Sequence, residues 1–295
     1  MKWAPEDYAR NSAAQLGWAR ELISRLALGG SEAVLDVGCG DGKITAEFAR
    51  SLPDGCVLGI DSSPEFVAYA SSQYPPDRFP SLRFQVMDAR DLRCDRQFDL
   101  IFSNAALHWV DDQRAFLRGA SCHLRPGGKL AISCGGAGNA AAVLTQLEQM
   151  LASERWRPYF EGFRAPYHFL SPGEYRPWLR ETGLAVSRCE LLEKDMVHDD
   201  SGGLAGWIRT TWIPYTCRLP ENMRDGFISE LVSRYLKDNP PDTNGRTHVR
   251  MVRLEVEATK EGETPIGRPG VLSSAKSYTE IGRSEPVNQV DEPYQ

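Results

Sequence analysis

Apolar and polar positions along this chain switch repeatedly between short apolar runs and helical stripes, and the order of the switches predicts a fold. The run Ala33-Val34-Leu35-Asp36-Val37 passes straight into Gly38, Gly40 and Gly42, and residues 43–52 then space Ile44, Phe48 and Leu52 at helical intervals. That unit reads as strand, tight turn, helix. Further strands are predicted at 56–61, 82–86, 98–104, 129–133, 184–197 and 249–258, with helices at 62–72, 111–124, 140–153 and 221–236. Upstream, Tyr8, Leu16, Trp18, Leu22, Ile23 and Leu26 give residues 7–28 one helical pattern closed by Gly29-Gly30, a helix able to lie across the mouth of a sheet. Strands alternating with helices predict an α/β protein with a mostly parallel sheet.

The turn after the first strand needs glycine, because the backbone bends with positive φ where a Cβ would obstruct a ligand. Beyond it a helix N-terminus presents unpaired N–H groups to the crevice at the strand ends. The spacing Gly38, Gly40, Gly42, with Asp36 just before, departs from the dinucleotide pattern and favours a different nucleotide-like ligand. Asp61 falls about 20 residues further on, where an acid accepts hydrogen bonds from two ribose hydroxyls; it could equally cap the following helix. Asp61, Asp88 and Asn104 close three successive strands and so share one edge of the sheet.

At 295 residues, 41% hydrophobic and 25% charged, the chain suits one large domain with insertions. A net charge of −6 argues against a nucleic-acid binder that relies on a general positive field. No apolar run approaches the roughly 20 residues a membrane helix needs, and residues 1–5 lack a signal peptide's apolar core, so a cytoplasmic enzyme without a membrane partner is expected. Seven cysteines without a C-x-x-C pair and five dispersed histidines indicate neither disulfide framework nor metal site. The expected organisation is a helical cap at 1–30, a core at 31–135, lid insertions with the last core strands at 136–259, and a disordered tail at 260–295.

The ordered set Val34 to Gly42, Gly59-Ile60-Asp61, Asp88-Ala89, Phe98 to Ile101 and Leu124 to Gly128 resembles class I S-adenosylmethionine-dependent methyltransferases. The resemblance implies a Rossmann-like seven-stranded sheet with helices on both faces, and S-adenosyl-L-methionine as cofactor. It implies cofactor contacts from Asp36, Gly38, Gly40, Asp61, Ser62, Asp88, Ala89 and Asn104. The methionine part would lie on the glycine turn, the ribose on Asp61, the adenine by Asp88 and Ala89, and the sulfonium near Asn104.

Residues 8–15, Ser62-Ser63-Pro64 and Ser103 to Val110 also resemble the trans-aconitate and juvenile-hormone-acid methyltransferase group, which esterifies small carboxylic acids. That likeness implies that Gln15 and Trp109 touch the substrate carboxylate, though Gln15 could merely cap a helix and Trp109 merely pack. His108 stands either as a base or as a supporting residue. Where many members of the group carry an arginine before the lid proline this chain has Ile213, with Arg209 one helical turn earlier as a substitute. A tricarboxylate therefore fits less well than an acid with an apolar body. The expected activity is O-methylation of such an acid, by a monomer or dimer, with carbon or hydroxyl acceptors as the alternative and a non-catalytic cofactor-binding protein as a third.

Overall fold

The computed structural model describes residues 5–262. In chain order its elements are α1 Pro5–Asn11, α2 Ala13–Ile23, β1 Ala33–Val37, α3 Lys43–Ser51, β2 Cys56–Asp61, α4 Pro64–Gln73, β3 Leu82–Val86, β4 Phe98–Asn104, α5 Gln113–His123, β5 Leu124–Gly135, α6 Ala141–Leu151, α7 Pro172–Glu181, β6 Leu184–His198, α8 Ser201–Thr211, α9 Ile213–Thr216, α10 Glu221–Asp238 and β7 Thr247–Lys260. The strands form one seven-stranded sheet in the order β3-β2-β1-β4-β5-β7-β6, in which only β7 runs antiparallel to its neighbours. This is the Rossmann-like, mostly parallel α/β sheet expected.

Every residue of β1 is buried, as in a strand covered on both faces. On one face Phe116 and Leu117 of α5 and Tyr175 and Leu179 of α7 pack against Leu35, Ile101 and Leu130. On the other, Leu22 of α2 and Ala46 and Phe48 of α3 pack against Val34, Leu100 and Phe102. Phe48 and Phe102 meet edge-on at 5.0 Å, and burying each ring contributes roughly 2 kcal/mol. A third apolar cluster joins α6, α8 and α10 through Leu147, Trp207 and Phe227 and reaches Met196 of β6 and Met251 of β7. Chain order reverses between β1 and β4, which makes the carboxyl ends of these two strands the ligand crevice.

Three local expectations are corrected. The N-terminal pattern is two helices, not one, and at the break the Lys43 ammonium donates to the Ala9 carbonyl (3.0 Å) and to Ser12 Oγ (2.8 Å). The reversal expected at 125–128 is an irregularity inside β5, where the register against β4 shifts between Phe98 and Leu100. The last strand runs to Lys260, which pairs with Leu184, so that residue belongs to the sheet; the disordered tail expected at 260–295 falls, from residue 263 on, outside the described residues. Among the described residues no helix is long and apolar enough to cross a membrane.

Candidate active site

The glycine turn is spliced to the neighbouring strand, since the amides of Gly38 and Cys39 both donate to the Ile60 carbonyl, at 2.8 and 2.9 Å. Gly38, Gly40 and Gly42 all have positive φ, 76°, 54° and 79°. The reason for glycine differs along the turn. At Gly38 a Cβ would sit 2.1 Å from the Ala106 Cβ, so the close approach there is to the chain that follows β4 and not, as the sequence suggested, to a ligand. At Gly40 a Cβ would meet nothing nearer than the Tyr8 ring at 3.8 Å, so it is here that the turn stands open.

Three hollows with shared wall residues lie at and beside the turn. A cleft of about 620 Å³ is lined by Gly38, Asp61, Ser62, Asp88, Ala89 and Trp109, among others. It falls in the size range of small-molecule sites. A small lobe between the turn and the N-terminal helices is bordered by Gly38, Gly40, Asn104, Tyr8 and Gln15. An aromatic chamber of about 70 Å³ has Trp18, Trp109, Tyr167, Phe169, Trp207 and Trp212 in its walls, with Gln15, His108 and Arg253. Trp109 borders both cleft and chamber. The extended segment after residue 163 divides them: Pro166 and His168 line the cleft, Tyr167 and Phe169 the chamber. The His168 amide donates to the His108 carbonyl (2.8 Å) and pins this partition to the chain after β4.

Asp61 ends β2 with its carboxylate accepting from the Gly40 amide (3.0 Å) and the Ser63 amide (2.9 Å). Burial raises its pKa while these backbone donors oppose the shift. Capping of α4 is done by Ser63, whose Oγ accepts from the Phe66 amide at 3.3 Å. At the cleft's other end Arg90 bridges Asp88 (2.7 Å) and Asp111 (2.9 Å); it holds the Asp88 carboxyl below its ordinary range, and the Asp112 amide, with Arg90, does the same for Asp111. Asn104 donates to the Gln15 carbonyl (3.1 Å) and so faces the small lobe, away from Asp61 and Asp88. Gln15 lies inside α2 and makes no cap; its Oε1 is buried without a hydrogen-bond partner.

Asp36 lines none of these hollows. Its buried carboxyl accepts from Thr45 Oγ1 at 2.7 Å beneath the turn, which makes it a support of the turn and corrects its sequence assignment as a ligand contact. Burial, with Asp61 and Asp41 nearby, pushes its pKa up to about 7. An acid whose folded pKa is raised stabilises the fold below its unfolded pKa, and that contribution is lost as pH rises through the folded value. Stability should therefore fall between about pH 4 and 7, by as much as about 4 kcal/mol for a three-unit shift. Urea denaturation at pH 5 and pH 8 checks this: Asp36→Asn should flatten the decline, and an equal decline in the variant would assign it elsewhere.

His108 is half-buried and its Nδ1 accepts from the Gly135 amide at 3.2 Å, which leaves the ring proton on Nε2. Desolvation, reinforced by Arg253, lowers its pKa to about 3. Arg209 is not available to a substrate as the sequence suggested, because it pairs with Asp7 at 3.0 Å and joins α8 to α1. Sequence reasoning also missed Arg253 and Trp212, which sit in the chamber walls far from any motif.

A methyltransferase domain model matches residues 34–128. The chain is 29% identical over 267 residues to the trans-aconitate 2-methyltransferase of Variovorax paradoxus, covering 88% of this chain and 99% of that one. It is 30% identical over 204 residues to an uncharacterized methyltransferase of Schizosaccharomyces pombe, covering 66% and 77%. Among solved structures it is similar to the YcgJ protein of Bacillus subtilis, with a TM-score of 0.58 and 20% identity over 84% of this chain and 99% of that one. Motif order, strand order and these relatives agree, and the chain belongs to the class I S-adenosylmethionine-dependent methyltransferases.

Proposed function

We propose that the enzyme methylates the carboxylate of a small organic acid to give its methyl ester. The observation that supports this acceptor is the state of His108. With its Nδ1 lone pair engaged and its pKa near 3, the ring is neutral and offers only an N–H. Tyr8 and Tyr167, also in the chamber, are phenols kept protonated by burial. None of the three can take up a proton near neutral pH. A hydroxyl or carbon acceptor has to lose a proton during transfer, whereas a carboxylate, with a reference pKa of about 4, is already ionised. The resemblance to trans-aconitate 2-methyltransferases, named for an acid, points the same way.

When bound, S-adenosylmethionine supplies a methyl carbon on a positively charged sulfur. In this reading the open turn at Gly40 would leave room for its methionine end beside Asn104, Asp61 would accept from the ribose hydroxyls next to Ser62, and Asp88 with Ala89 would border the adenine. Gln15 and Trp109 orient the acceptor. An ionised carboxylate would accept that methyl without giving up a proton, so the chain need supply no base. What remains for the protein is alignment and exclusion of water from the nucleophile.

Incubating the protein with methyl-labelled cofactor and a panel of acids, phenols, sterols and amines tests the reading, and label in a phenol or amine but in no acid rejects it. His108→Ala should keep most of its activity with a level pH profile from 6 to 9. Trp109→Phe should lose roughly tenfold in turnover, about the worth of one hydrogen bond, with cofactor affinity unchanged. A dead His108→Ala protein that still binds cofactor, beside a wild-type rate rising through pH 6 to 7, would mean that His108 is a base after all.

A further inference from the structure

Arg253 of β7 is 2% exposed, yet among the described residues no carboxylate lies within 4.0 Å of its guanidinium. Glu255, two residues along the strand, acts on this cation only at longer range, and its Oε2 pairs with Arg25 at 2.6 Å and Arg188 at 3.5 Å. The guanidinium is held by neutral groups only: Nε donates to Ser133 Oγ (3.3 Å), and Nη2 to the Ser133 carbonyl (2.5 Å) and to Asn104 Oδ1 (3.3 Å). Its Cζ lies 5.1 Å from the centre of the Trp18 ring. Nη1 makes no hydrogen bond to the described protein, and the residue forms part of the wall of the aromatic chamber. Burying a cation without a direct ion-pair partner is unfavourable, so a chamber built this way is complementary to a ligand that brings the negative charge with it.

We propose that Arg253 is the specificity residue of the acceptor site: it pairs with the acceptor's carboxylate and, as the guanidinium of an otherwise aromatic chamber, selects acids with one anionic group and an apolar body. The proposal rests on the carboxylate reading above. It has a kinetic signature, because the acceptor's negative charge diminishes as the oxygen–carbon bond forms. The ion pair is then stronger in the ground state than in the transition state, and it contributes to KM more than to kcat.

The test uses the full chain, cinnamic, phenylacetic and decanoic acids, and their primary amides as neutral isosteres. For an acid that the wild type esterifies, Arg253→Met should raise KM at least about 30-fold, the usual minimum cost of breaking a buried charged pair, with kcat changed several-fold at most. Arg253→Lys should recover part of the loss. In thermal shift with S-adenosylhomocysteine present, the acid should stabilise the wild type and not Arg253→Met, and the amide should stabilise neither. Exchange of a buried unpaired cation for methionine should leave the ligand-free melting temperature equal or higher, whereas a merely structural arginine would lower it. Esterification by Arg253→Met at the wild-type KM, an amide bound as tightly as its acid, or a large drop in melting temperature overturns the role of Arg253 and leaves the carboxylate reading standing. A panel in which phenols or amines are methylated and acids are not overturns the carboxylate reading, and one in which no acid binds overturns both.

Discussion

Asp61→Ala should abolish measurable cofactor binding in a protein that remains folded. Both carboxylate oxygens touch backbone, one the Gly40 amide and one the Ser63 amide, so the side chain is fixed at the floor of the cleft before any ligand arrives. Each oxygen keeps a further lone pair for a ribose hydroxyl. A hydrogen bond to a charged group contributes about 1.5–3 kcal/mol, so losing two weakens binding by about 4 kcal/mol, near a thousandfold in Kd. The Gly40 amide borders the small lobe and the space left by the carboxylate opens on the cleft that Asp61 lines, so water can reach the released donors and the fold survives. Calorimetric titration with S-adenosylhomocysteine decides the matter: unchanged affinity in a folded Asp61→Ala protein rejects Asp61 as the ribose acceptor.

Gly38→Ala should cost more in stability than in chemistry. The added methyl would lie 2.1 Å from the Ala106 Cβ, and neither atom belongs to a flexible side chain. Overpacking of this kind costs about 1–3 kcal/mol, and holding alanine at a φ of 76° adds about 1–2 kcal/mol. At a few degrees per kcal/mol for a domain of this size, the melting temperature should fall by roughly ten degrees. A second change, Ala106→Gly, should restore the steric part and leave the φ part. If the double variant melts no higher than the single one, contact with Ala106 is not why glycine stands at position 38.

The parallel half of the sheet was legible because its strands are covered on both faces and appear as unbroken apolar runs, β1 most plainly. The glycine turn and Asp61 were legible because backbone geometry, rather than distant packing, selects those residue types. The antiparallel edge hid its chemistry. Alternation along β7 places Arg253, Glu255 and Glu257 on one face, which a sequence reading assigns to solvent. In the fold Arg253 and Glu255 are buried, because β7 lies between β5 and β6 and that face is covered by Trp18 and Arg25 of the N-terminal region. Arg209 misled for the converse reason, since its partner Asp7 lies about two hundred positions away in the chain and no local pattern announces the pair. The contact that Lys43 makes with Ser12 at the helix break is likewise between residues distant in the chain and leaves no local trace.

The partition at residues 166–169 binds two ligands to a common fate. It shows Pro166 and His168 to one and Tyr167 and Phe169 to the other, so it cannot shift for either without changing the walls of both. Any free energy with which the occupied cleft steadies this segment is returned as tighter binding in the chamber, and by thermodynamic linkage the factor is the same in the opposite direction.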